Sequence, residues 1–493
     1  MPFPTAPVKE DLFRRRAEVA LDFVVVGGSI AGLSCAYNLN QAGHNVRVLE
    51  RSSGPGIGTG GLRVPPNMTK LLFHWGLGAQ LVKLAVKCPR IEFLESTTGE
   101  YLSGLVMHEE VMAELQADMY GMLYSDLHLM LYDLAVAAGV RVDFNVNVVD
   151  VDVSEPSVLL ASGQRLQADI VIGADGPQGI SRERVFGPGE KFKIGPFTGY
   201  TLIRILWDPK LRSLVDDEMG LWKVWMGAHR CVLTFFVCSD QYAVQLICPS
   251  QEAVHNWTKS MPLLPTAEKF DDFEETVQRL LRLVTQTVET QNVIQESTSV
   301  WYDKDGHVVL IGDAAHLLNP GTTHGSSLAM EDAAVLGSLF SRLRSRDKGD
   351  IMRLLAAYQE IREDRCVEVN KSEFGKCAIS TIAPGDPMYE VRNAGFAASR
   401  EVKALDWENL GDPYLQNVWE EFKGSFGYEA YDAADDWWVD WGILTERLAA
   451  APTMVVTSAA EEDNDELVPA FDRLGLTSHV VVTSVTQDNG LHR

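Results

Sequence analysis

The sequence lacks the marks of several protein classes. Its seven cysteines are odd in number and include no CxxC pair, so we expect a reducing compartment and neither a disulfide framework nor a metal site. Lys and Arg total 43 against 68 Asp and Glu, for a formal net charge of −25, whereas a nucleic-acid-binding surface needs basic clusters. The N-terminus has no apolar core of signal-peptide length, and no apolar run is long enough to span a bilayer. We therefore expect a cytoplasmic protein with no nucleic-acid partner and no membrane span.

The features that are present fit an ordinary enzyme. The chain has 493 residues, of which 46% are hydrophobic and 9% aromatic, and this length allows two or more domains with their own cores. From about Ala451 onward the sequence holds seven acidic residues and two arginines. Such a composition predicts a loosely packed acidic tail.

The stretch Leu310–Ala334 carries the strongest local signal. It begins as an apolar strand that ends in Gly312-Asp313, passes through a Pro- and Gly-rich loop, and enters a helix near Ser327. Glycine lets backbone N–H groups approach a ligand, and an Asp at a strand end can hold a hydroxylated ligand. A helix N-terminus favours negative charge. The stretch therefore predicts a site for a cofactor that carries phosphate and sugar.

A βαβ unit lies near the start of the chain. Phe23–Val26 and Asn45–Leu49 are predicted strands, and between them lie the glycine-rich turn Gly27–Gly32 and a helix. Glu50 follows the second strand, where an acid takes the ribose hydroxyls of a dinucleotide. Ser29 stands where the second glycine of the fingerprint is usual. The order of strand, turn, helix, strand and acid favours a dinucleotide site over a glycine-rich turn of some other α/β domain.

A second strand-and-turn segment lies in the middle of the chain. Ala168–Ile172 is a predicted strand that runs into Gly173-Ala174-Asp175-Gly176. This order places a carboxylate and a flexible backbone at the C-terminal edge of a sheet, where α/β folds bind ligands. Alone, Asp175-Gly176 is more often just a turn. Beside the other two segments, a ligand-binding role is favoured.

Together and in this order, the three segments resemble those of FAD-dependent aromatic monooxygenases of the para-hydroxybenzoate hydroxylase fold, especially the salicylate-hydroxylase-like branch. The resemblance covers about residues 20–445, and Tyr358–Arg365 is similar to a helix motif of the same branch. It implies an α/β protein with a Rossmann-like FAD-binding domain, an inserted mixed β-sheet substrate domain and a C-terminal helical segment. It also implies FAD, NAD(P)H and O₂ as reactants. The absence of a second GxGxxG unit fits transient binding of the nicotinamide nucleotide.

The resemblance also assigns contacts to FAD. The turn at 27–32 resembles the ADP-binding turn, and GADG at 173–176 resembles the motif that touches both FAD and the nicotinamide nucleotide. Asp313 would hold the ribityl chain, and the loop that follows it would face the isoalloxazine ring. The residues expected at FAD are Gly27, Gly28, Ser29, Ile30, Ala31, Gly32, Glu50, Arg51, Asp126, Val148, Asp175, Gly176, Asp313, Pro320, Gly321, Gly325, Ser326 and Ser327.

Five positions depart from the usual pattern of the branch. His324 stands for a usual Gln, Ser327 for an Asn, and Tyr124 for an Arg that contacts FAD. Ser181 and Arg184 are displaced from their usual spacing in the middle motif. FAD binding is still expected, while the individual contacts and the docking of the nicotinamide nucleotide stay open.

The resemblance and the local patterns together predict a division into segments. These are an N-terminal extension (1–19), the first part of the FAD-binding domain (20–195), a substrate-binding sheet domain (196–295), the second part of the FAD-binding domain (296–385), a C-terminal helical segment (386–450) and the acidic tail (451–493). The sheet domain should contain four strands: Tyr200–Leu206, Trp222–Met226, Val232–Cys238 and Tyr242–Ile247. Residues 266–290 should form a helix.

The resemblance implies hydroxylation of a phenol or an aromatic acid through a flavin C4a-hydroperoxide. Oxidative decarboxylation would follow where the hydroxyl group lands on the carboxyl-bearing carbon. Substrates of the salicylate or 4-hydroxybenzoate type, prenylated ones included, and a role in fungal secondary metabolism are expected. A base that deprotonates the phenol would activate the ring. The protein should be a monomer or a homodimer.

Four side chains are candidates for the substrate site. Arg204 could anchor a carboxylate or phenolate, although a solvated or structural arginine is an equal alternative. His324, beside the flavin loop, could act as a base or hydrogen-bond donor, and otherwise would hold the loop backbone. Tyr242 and His229 lie on the predicted sheet and could line the pocket, although such residues more often pack or face solvent.

Two other classes of function stay open. The first is an FAD-dependent oxidoreductase of the same fold that does not hydroxylate aromatic rings, such as an epoxidase or a reductase. The second is an inactive flavin-binding protein, in which Ser29, Tyr124 and His324 together weaken the site. Incorporation of oxygen from O₂ into a product separates a hydroxylase from a reductase, and a flavin that NADH and NADPH do not reduce supports the inactive protein.

Overall fold

The structure is a computed structural model of the chain. It describes residues 12, 15–58, 60–187, 193–202, 205–206, 218–249, 260–262, 267–284, 286–294, 300–318, 322–401 and 413–443. Residues 1–441 form one compact unit, and the second unit is 442–493, of which only residues 442 and 443 are described. Among the described residues, no helix is long and apolar enough to cross a membrane. The predicted acidic tail and Arg204 lie outside the described residues.

The strands of the described residues, in chain order, are β1 (Asp22–Val26), β2 (Asn45–Leu49), β3 (Gly61–Val64), β4 (Val86–Lys87), β5 (Arg90–Glu95), β6 (Tyr101–Val106), β7 (Tyr120–Leu123), β8 (Arg141–Asp143), β9 (Val148–Asp152), β10 (Ser157–Leu160), β11 (Arg165–Gln167), β12 (Ile170–Gly173), β13 (Lys193–Leu202), β14 (Ile205–Leu206), β15 (Trp222–Gly227), β16 (Arg230–Cys238), β17 (Gln241–Pro249), β18 (Ser260–Pro262), β19 (Gln286–Ile294) and β20 (Val308–Leu310).

The α-helices, again in chain order, are α1 (Ile30–Gln41), α2 (Pro66–His74), α3 (Gly78–Leu84), α4 (Glu109–Glu114), α5 (Tyr124–Ala138), α6 (Ile180–Phe186), α7 (Glu275–Leu283), α8 (Gly325–Phe340), α9 (Lys348–Ser380), α10 (Pro387–Glu401), α11 (Pro413–Phe426) and α12 (Ala430–Trp437).

A parallel sheet with the strand order β20-β12-β1-β2-β8 forms the centre of the predicted FAD-binding part. Its three central strands are short apolar runs, and the valines of β1 are fully buried, as expected for strands covered on both faces. Helix α1 packs against α5 and α8. The predicted strand–turn–helix–strand unit is confirmed, with the helix beginning at Ile30. The helix predicted near Ser327 is also present and begins at Gly325.

A larger mixed sheet contains the predicted substrate strands. Its order is β18-β19-β13-β17-β16-β15-β5-β6, with β14 beside β17. All pairs are antiparallel except β15 with β5. The four predicted strands are present with shifted bounds. Strands β5 and β6 come from the chain segment before the predicted sheet domain, so this sheet is completed by residues that lie far away in sequence; the domain limits stay a prediction.

The predicted helix over 266–290 is confirmed only for Glu275–Leu283, which a short 3-10 helix at Glu268–Phe270 precedes. Helix α7 ends at Leu283, and β19 then pairs with β13 and β18. The helix begins after Glu274, whose carboxylate accepts a hydrogen bond from the Thr276 N–H at 3.1 Å. Beyond it, Thr287 and Val288 are β-branched and buried, and such residues pack well in a strand.

The two faces of the large sheet have different neighbours. One face, which includes Tyr242, packs on helix α7 through a buried apolar cluster. The other face carries Phe235 and packs on residues of α4 and α11 through a second cluster. On this second side the small sheet β3-β7-β4 lies close, since a Cβ placed on Gly121 would overlap the carbonyl oxygen of Phe236. The sheet therefore joins the FAD-binding part through its Phe235 face.

Candidate cofactor and substrate site

The three predicted cofactor segments meet at one edge of the parallel sheet. Val26 at the end of β1 pairs with Leu49 on one side and with Gly173 on the other. Gly173 in turn pairs with Leu310. The turn after β1, the acid after β2, the GADG segment after β12 and the loop after β20 therefore share the C-terminal edge, where α/β sheets bind ligands.

The glycine-rich turn is built for close backbone approach. Gly27 has φ of +104°, and a Cβ on it would overlap the carbonyl oxygen of Ala174. A Cβ on Gly32 would overlap the carbonyl oxygen of Gly27. Ser29 precedes helix α1 without a side-chain capping hydrogen bond, and the first-turn amides of a helix suit a diphosphate. The turn, with Ile30 and Ala31 in the first helical turn, fits the expected role.

Glu50 fixes the turn to the chain that follows β2. One carboxylate oxygen accepts the N–H of Gly28 at 2.6 Å, and the other accepts the N–H of Ser52 at 2.7 Å. Arg51, the next residue, is exposed, and its positive charge partly offsets the burial that raises the pKa of Asp175. The expected position of Glu50 at the end of β2 is thus observed, together with a backbone role that the sequence did not suggest.

Tyr124, one of the departures from the family pattern, lies near the same edge of the parallel sheet. Burial raises the pKa of Tyr124 to about 12, and the carboxylates of Glu50 and Asp313 act in the same direction, while the Ile30 N–H donates to its hydroxyl. Asp126 lies in the first turn of the same helix, α5. The Tyr124 ring therefore stands between two of the predicted cofactor segments.

His128 ties this helix to the glycine-rich turn, and sequence reasoning missed it. Its ring is buried and stacks on Tyr124 at a centroid distance of 6.0 Å. Nδ1 lies 2.9 Å from the N–H of Gly56, and Nε2 lies 2.7 Å from the carbonyl oxygen of Gly28. Because Nδ1 must accept and Nε2 must donate, these partners fix one neutral tautomer. The local sequence gives no signal for the role, since both partners are distant in the chain.

Asp313 follows β20 at the sheet edge, as predicted. Burial raises the pKa of Asp313 to about 6; the charge of His316 opposes this and that of Asp332 adds to it. A carboxyl group here can accept from, or when protonated donate to, the hydroxyl groups of a ribityl chain. The position suits the expected contact.

A buried ion network holds the loop that follows Asp313. Oδ2 of Asp332 accepts a hydrogen bond from the Gly312 N–H at 2.9 Å and lies 2.6 Å from Nε2 of His316. Oδ1 accepts a hydrogen bond from Nε of Arg362 at 2.9 Å. Burial alone would raise the pKa of Asp332, but His316 and Arg362 lower it to about 2. His316, Asp332 and Cys366 also offer metal-ligand atoms within 4.8 Å of one another. Because Arg362 and Gly312 already bind both carboxylate oxygens, the cluster fits an ion network better than a metal site.

The middle motif, GADG with the helix α6 that follows it, contacts the loop after β20 through an arginine other than Arg184. Asp175 accepts the N–H of Ser181 at 3.0 Å, and burial raises its pKa. Arg182 is buried and donates to the carbonyl oxygen of Ala314, in the loop after β20. Arg184 instead pairs with Asp150 at the surface, where both side chains are well exposed. Arg182 thus joins the middle motif to the loop after β20. Gly176, with φ of +82°, lies in the turn between Asp175 and helix α6.

His324 lies buried at the start of helix α8. Its Nδ1 is 2.7 Å from Oε1 of Glu373, and its Nε2 is 3.2 Å from the carbonyl oxygen of Ser425. The ring stacks on Phe426 at a centroid distance of 5.2 Å. Burial alone would raise the pKa of Glu373, but Lys376, His324 and Arg63 outweigh it and hold this pKa well below its usual range. Both ring nitrogens of His324 therefore face acceptor oxygens.

Two other predicted substrate residues, Tyr242 and His229, belong to the large sheet and its β15–β16 turn. Tyr242 is fully buried, and its hydroxyl donates to Oγ1 of Thr234 at 2.8 Å, on the α7 face of the sheet. His229 occupies the β15–β16 hairpin turn with φ of +61°, and its N–H donates to the carbonyl oxygen of Thr381. Arg204 lies outside the described residues. Catalytic roles for these residues stay predictions.

The remaining predicted FAD contacts have mixed placements. Gly325 and Ser326 open helix α8, and the buried hydroxyl of Ser327 donates to the carbonyl oxygen of His324 at 3.0 Å. Val148 begins β9, in the separate sheet β11-β10-β9. Pro320 and Gly321 lie outside the described residues.

The assembled groups fit FAD. Helix α1 offers amides to a diphosphate, Glu50 ends the strand beside the turn, and Asp313 can hold a polyhydroxyl chain. The FAD binding domain family matches residues 20–372 of this sequence. The chain belongs to that family.

Similar proteins extend the match beyond the cofactor site. The FAD-dependent monooxygenase OpS4 of Beauveria bassiana is 28% identical over 430 residues, covering 84% of this chain and 96% of that protein. The 6-hydroxynicotinate 3-monooxygenase of Bordetella bronchiseptica is 25% identical and covers 70% and 89%. A salicylate hydroxylase solved with its substrate has the same fold, with a TM-score of 0.64, 18% identity and coverage of 88% and 99%. The predicted resemblance to FAD-dependent aromatic monooxygenases is confirmed at the level of family and fold.

Proposed function

We propose that this FAD-binding protein is an NAD(P)H- and O₂-dependent monooxygenase that hydroxylates a phenol or an aromatic acid. One observation carries the proposal: the carboxyl ends of four parallel strands bring Glu50, Asp175 and Asp313 to one edge, beside a loop that leads to His324. The names of the similar monooxygenases, one acting on 6-hydroxynicotinate, support an electron-rich aromatic ring as substrate.

Each part of the chain has a distinct task in this proposal. Helix α1 would bind the diphosphate of FAD, Glu50 and Asp313 would bind its hydroxylated parts, and Arg182 and Asp332 hold the loop expected near the ring. FAD bound there would supply the redox and oxygen-transfer chemistry. The protein supplies orientation and a dry site, because water would intercept a reactive oxygen species.

The reaction balances with one nicotinamide nucleotide. A substrate C–H, O₂, NAD(P)H and one proton give C–OH, NAD(P)⁺ and water. Where the attacked carbon bears a carboxylate, CO₂ leaves in place of the ring proton and the reaction takes up a second proton. The substrate is a small aromatic molecule, fungal secondary metabolism is the proposed setting, and the protein acts in the cytoplasm as a monomer or homodimer.

The proposal is tested with the FAD-loaded protein. Salicylate, 4-hydroxybenzoate and 6-hydroxynicotinate are each supplied with NADH or NADPH under ¹⁸O₂, and the molecular masses of the products are measured by mass spectrometry. We expect stimulated NAD(P)H oxidation and a product that contains one ¹⁸O atom, with or without loss of CO₂. Hydride transfer to a product without ¹⁸O would support a reductase instead. A flavin that neither nucleotide reduces, with any of the aromatics present, would support an inactive flavin-binding protein.

A further inference from the structure

An arginine from the FAD-binding part faces the large sheet. Arg63, on β3, lies with one guanidinium nitrogen 3.4 Å from Oε1 of Gln245 and with its guanidinium carbon 5.9 Å from the ring centroid of Phe235. Gln245 on β17 and Phe235 on β16 belong to the same sheet face, because Phe235 pairs with Ala243 and side chains alternate along a strand. Both are buried. A cation, an amide and an aromatic wall therefore converge here.

The charges around Arg63 favour an anion. Burial lowers the pKa of Arg63, and the carboxylate of Glu373 opposes that shift. Oε1 of Glu373 also forms an ion pair with Nζ of Lys376 at 3.3 Å and contacts His324. Two cations thus share one carboxylate in this region. A partly buried cation such as Arg63 is stabilised when an anion binds beside it.

The interactions of Arg63 connect it to the loop that is expected to face the isoalloxazine ring. Glu373 couples electrostatically to Arg63 and binds His324, which opens helix α8 just after the loop expected to face the isoalloxazine ring. β3 pairs with β7, and β7 lies against the backbone of β16. A ring bound between the loop and Phe235 would present its substituent to Arg63.

We propose that Arg63 binds the carboxylate of the aromatic substrate, with Gln245 orienting the guanidinium group and Phe235 lining the ring. The substrate is then an aromatic acid rather than a neutral phenol. This inference rests on the proposed function for the location of the ring. Arginine suits the role because its planar fork binds both oxygens of a carboxylate.

Binding is tested without turnover. The FAD-loaded protein is titrated with salicylate and with its neutral partner salicylamide, and likewise with 6-hydroxynicotinate and its amide, while the flavin absorbance spectrum is recorded. We expect the wild type to bind an acid more tightly than its amide. Arg63→Gln should weaken acid binding by at least about tenfold, as for loss of a charge-assisted hydrogen bond, and amide binding by less than about twofold.

Three variants keep the test decisive. Arg63→Lys preserves the charge without the fork, so its preference for acid over amide should fall between those of wild type and Arg63→Gln. Arg165→Gln removes an exposed arginine paired with Asp152 and should change neither affinity. If Arg204→Gln alone abolishes the acid preference, Arg204 is the anchor and the inference fails. Where Arg63→Gln does not retain FAD, the acid-to-amide ratio of Arg63→Lys decides.

The inference and the proposed function fail in different ways. Equal weakening of acid and amide by Arg63→Gln, or a wild type that binds amide as tightly as acid, removes the carboxylate role of Arg63. Hydroxylation of neutral phenols but of no acid removes it too, while the proposed function stands. Arg63-dependent acid binding without oxygenation of any aromatic would preserve the anion site and remove the proposed function.

Discussion

The imidazole of His324 lies between the carboxylate of Glu373, at 2.7 Å, and the carbonyl oxygen of Ser425, at 3.2 Å. These three residues lie just before α8, in the last third of α9 and at the end of α11. The histidine that replaces the glutamine usual in the family therefore joins the flavin loop to two C-terminal helices. A side chain held in this way positions the loop, whatever else it does.

Replacing Glu373 should weaken this junction. Glu373→Gln removes the charge that His324, Lys376 and Arg63 share, and loss of one partner from a buried pair lowers the free energy of unfolding by about 3 kcal/mol. Because the pKa of Glu373 is depressed in the folded state, the wild-type advantage should be full above the unfolded value of about 4.3 and shrink as pH falls below it. Urea unfolding at several pH values measures this.

The matched control is Glu368→Gln, an exposed position on the same helix, which should change stability by less than about 0.5 kcal/mol. His324→Gln should be milder than Glu373→Gln, at about 1 kcal/mol, because an amide can still donate to one of the two oxygens. Equal losses in all three variants would show that the Glu373–His324 contact adds nothing specific.

The Asp313 carboxylate should lower the stability of the apo protein and strengthen FAD binding. Its folded pKa, raised to about 6, exceeds the unfolded value of about 3.9, so its charge opposes folding at neutral pH by about 3 kcal/mol. The apo form of Asp313→Asn should therefore be more stable than apo wild type at pH 7.5, and the difference should vanish as pH falls from 6 to below 4. FAD affinity, measured by fluorescence quenching, should fall in the same variant. A stability difference that does not change with pH would contradict the assignment.

Arg182 and Arg184 provide a direct comparison within one helix. Arg182→Ala leaves the carbonyl oxygen of Ala314 without its buried donor, so we expect a loss of about 2 kcal/mol in the free energy of unfolding and weaker FAD binding. Arg184→Ala breaks only an exposed ion pair, which contributes about 0–1 kcal/mol. Thermal unfolding and FAD titration of the two variants measure both effects. The reverse order would contradict the assignment of the linking role to Arg182.

The glycines of the cofactor turn can be tested in the same way. Gly32→Ala forces a Cβ into the carbonyl oxygen of Gly27, and overpacking of this kind lowers the free energy of unfolding by about 1–3 kcal/mol. Gly54→Ala is the control, since nothing lies within 4 Å of its Cβ position and its φ is not positive. Melting temperatures of both variants, with and without FAD, measure the difference. A Gly32→Ala protein that melts with wild type and binds FAD equally well would contradict the close packing.

The sequence predicted well the features that are local. The run Phe23–Val26, the turn that follows it and the acid Glu50 form one short unit, so hydrophobic pattern and turn chemistry suffice to predict it. The helix over 266–290 failed because Phe273 to Val284 keep a helical period, whereas Thr287 and Val288 find their partners on β13 and β18. No local pattern reveals those partners.

The missed residues of the site have the same cause. Arg182 binds a carbonyl of Ala314, His128 binds Gly28, and Arg63 faces Gln245, each across 100 residues of chain or more. A single sequence shows the residue type but not its partner. Such contacts follow from topology, and topology is the part that pattern reasoning predicts least well.

The strand order of the parallel sheet also bears on how the chain is made. β20 pairs with β12 and supplies the loop that carries Asp313, yet it emerges from the ribosome long after β1 and β2. The N-terminal strands must wait with an unpaired edge while the whole large sheet is synthesised, and long-range parallel pairing is intrinsically slow. We expect a chain truncated just before Val308 to aggregate rather than bind FAD, whereas one that extends through α12 should gain FAD fluorescence quenching. Production of this protein should therefore depend on chaperones and on slow, cool expression more than its ordinary composition would suggest.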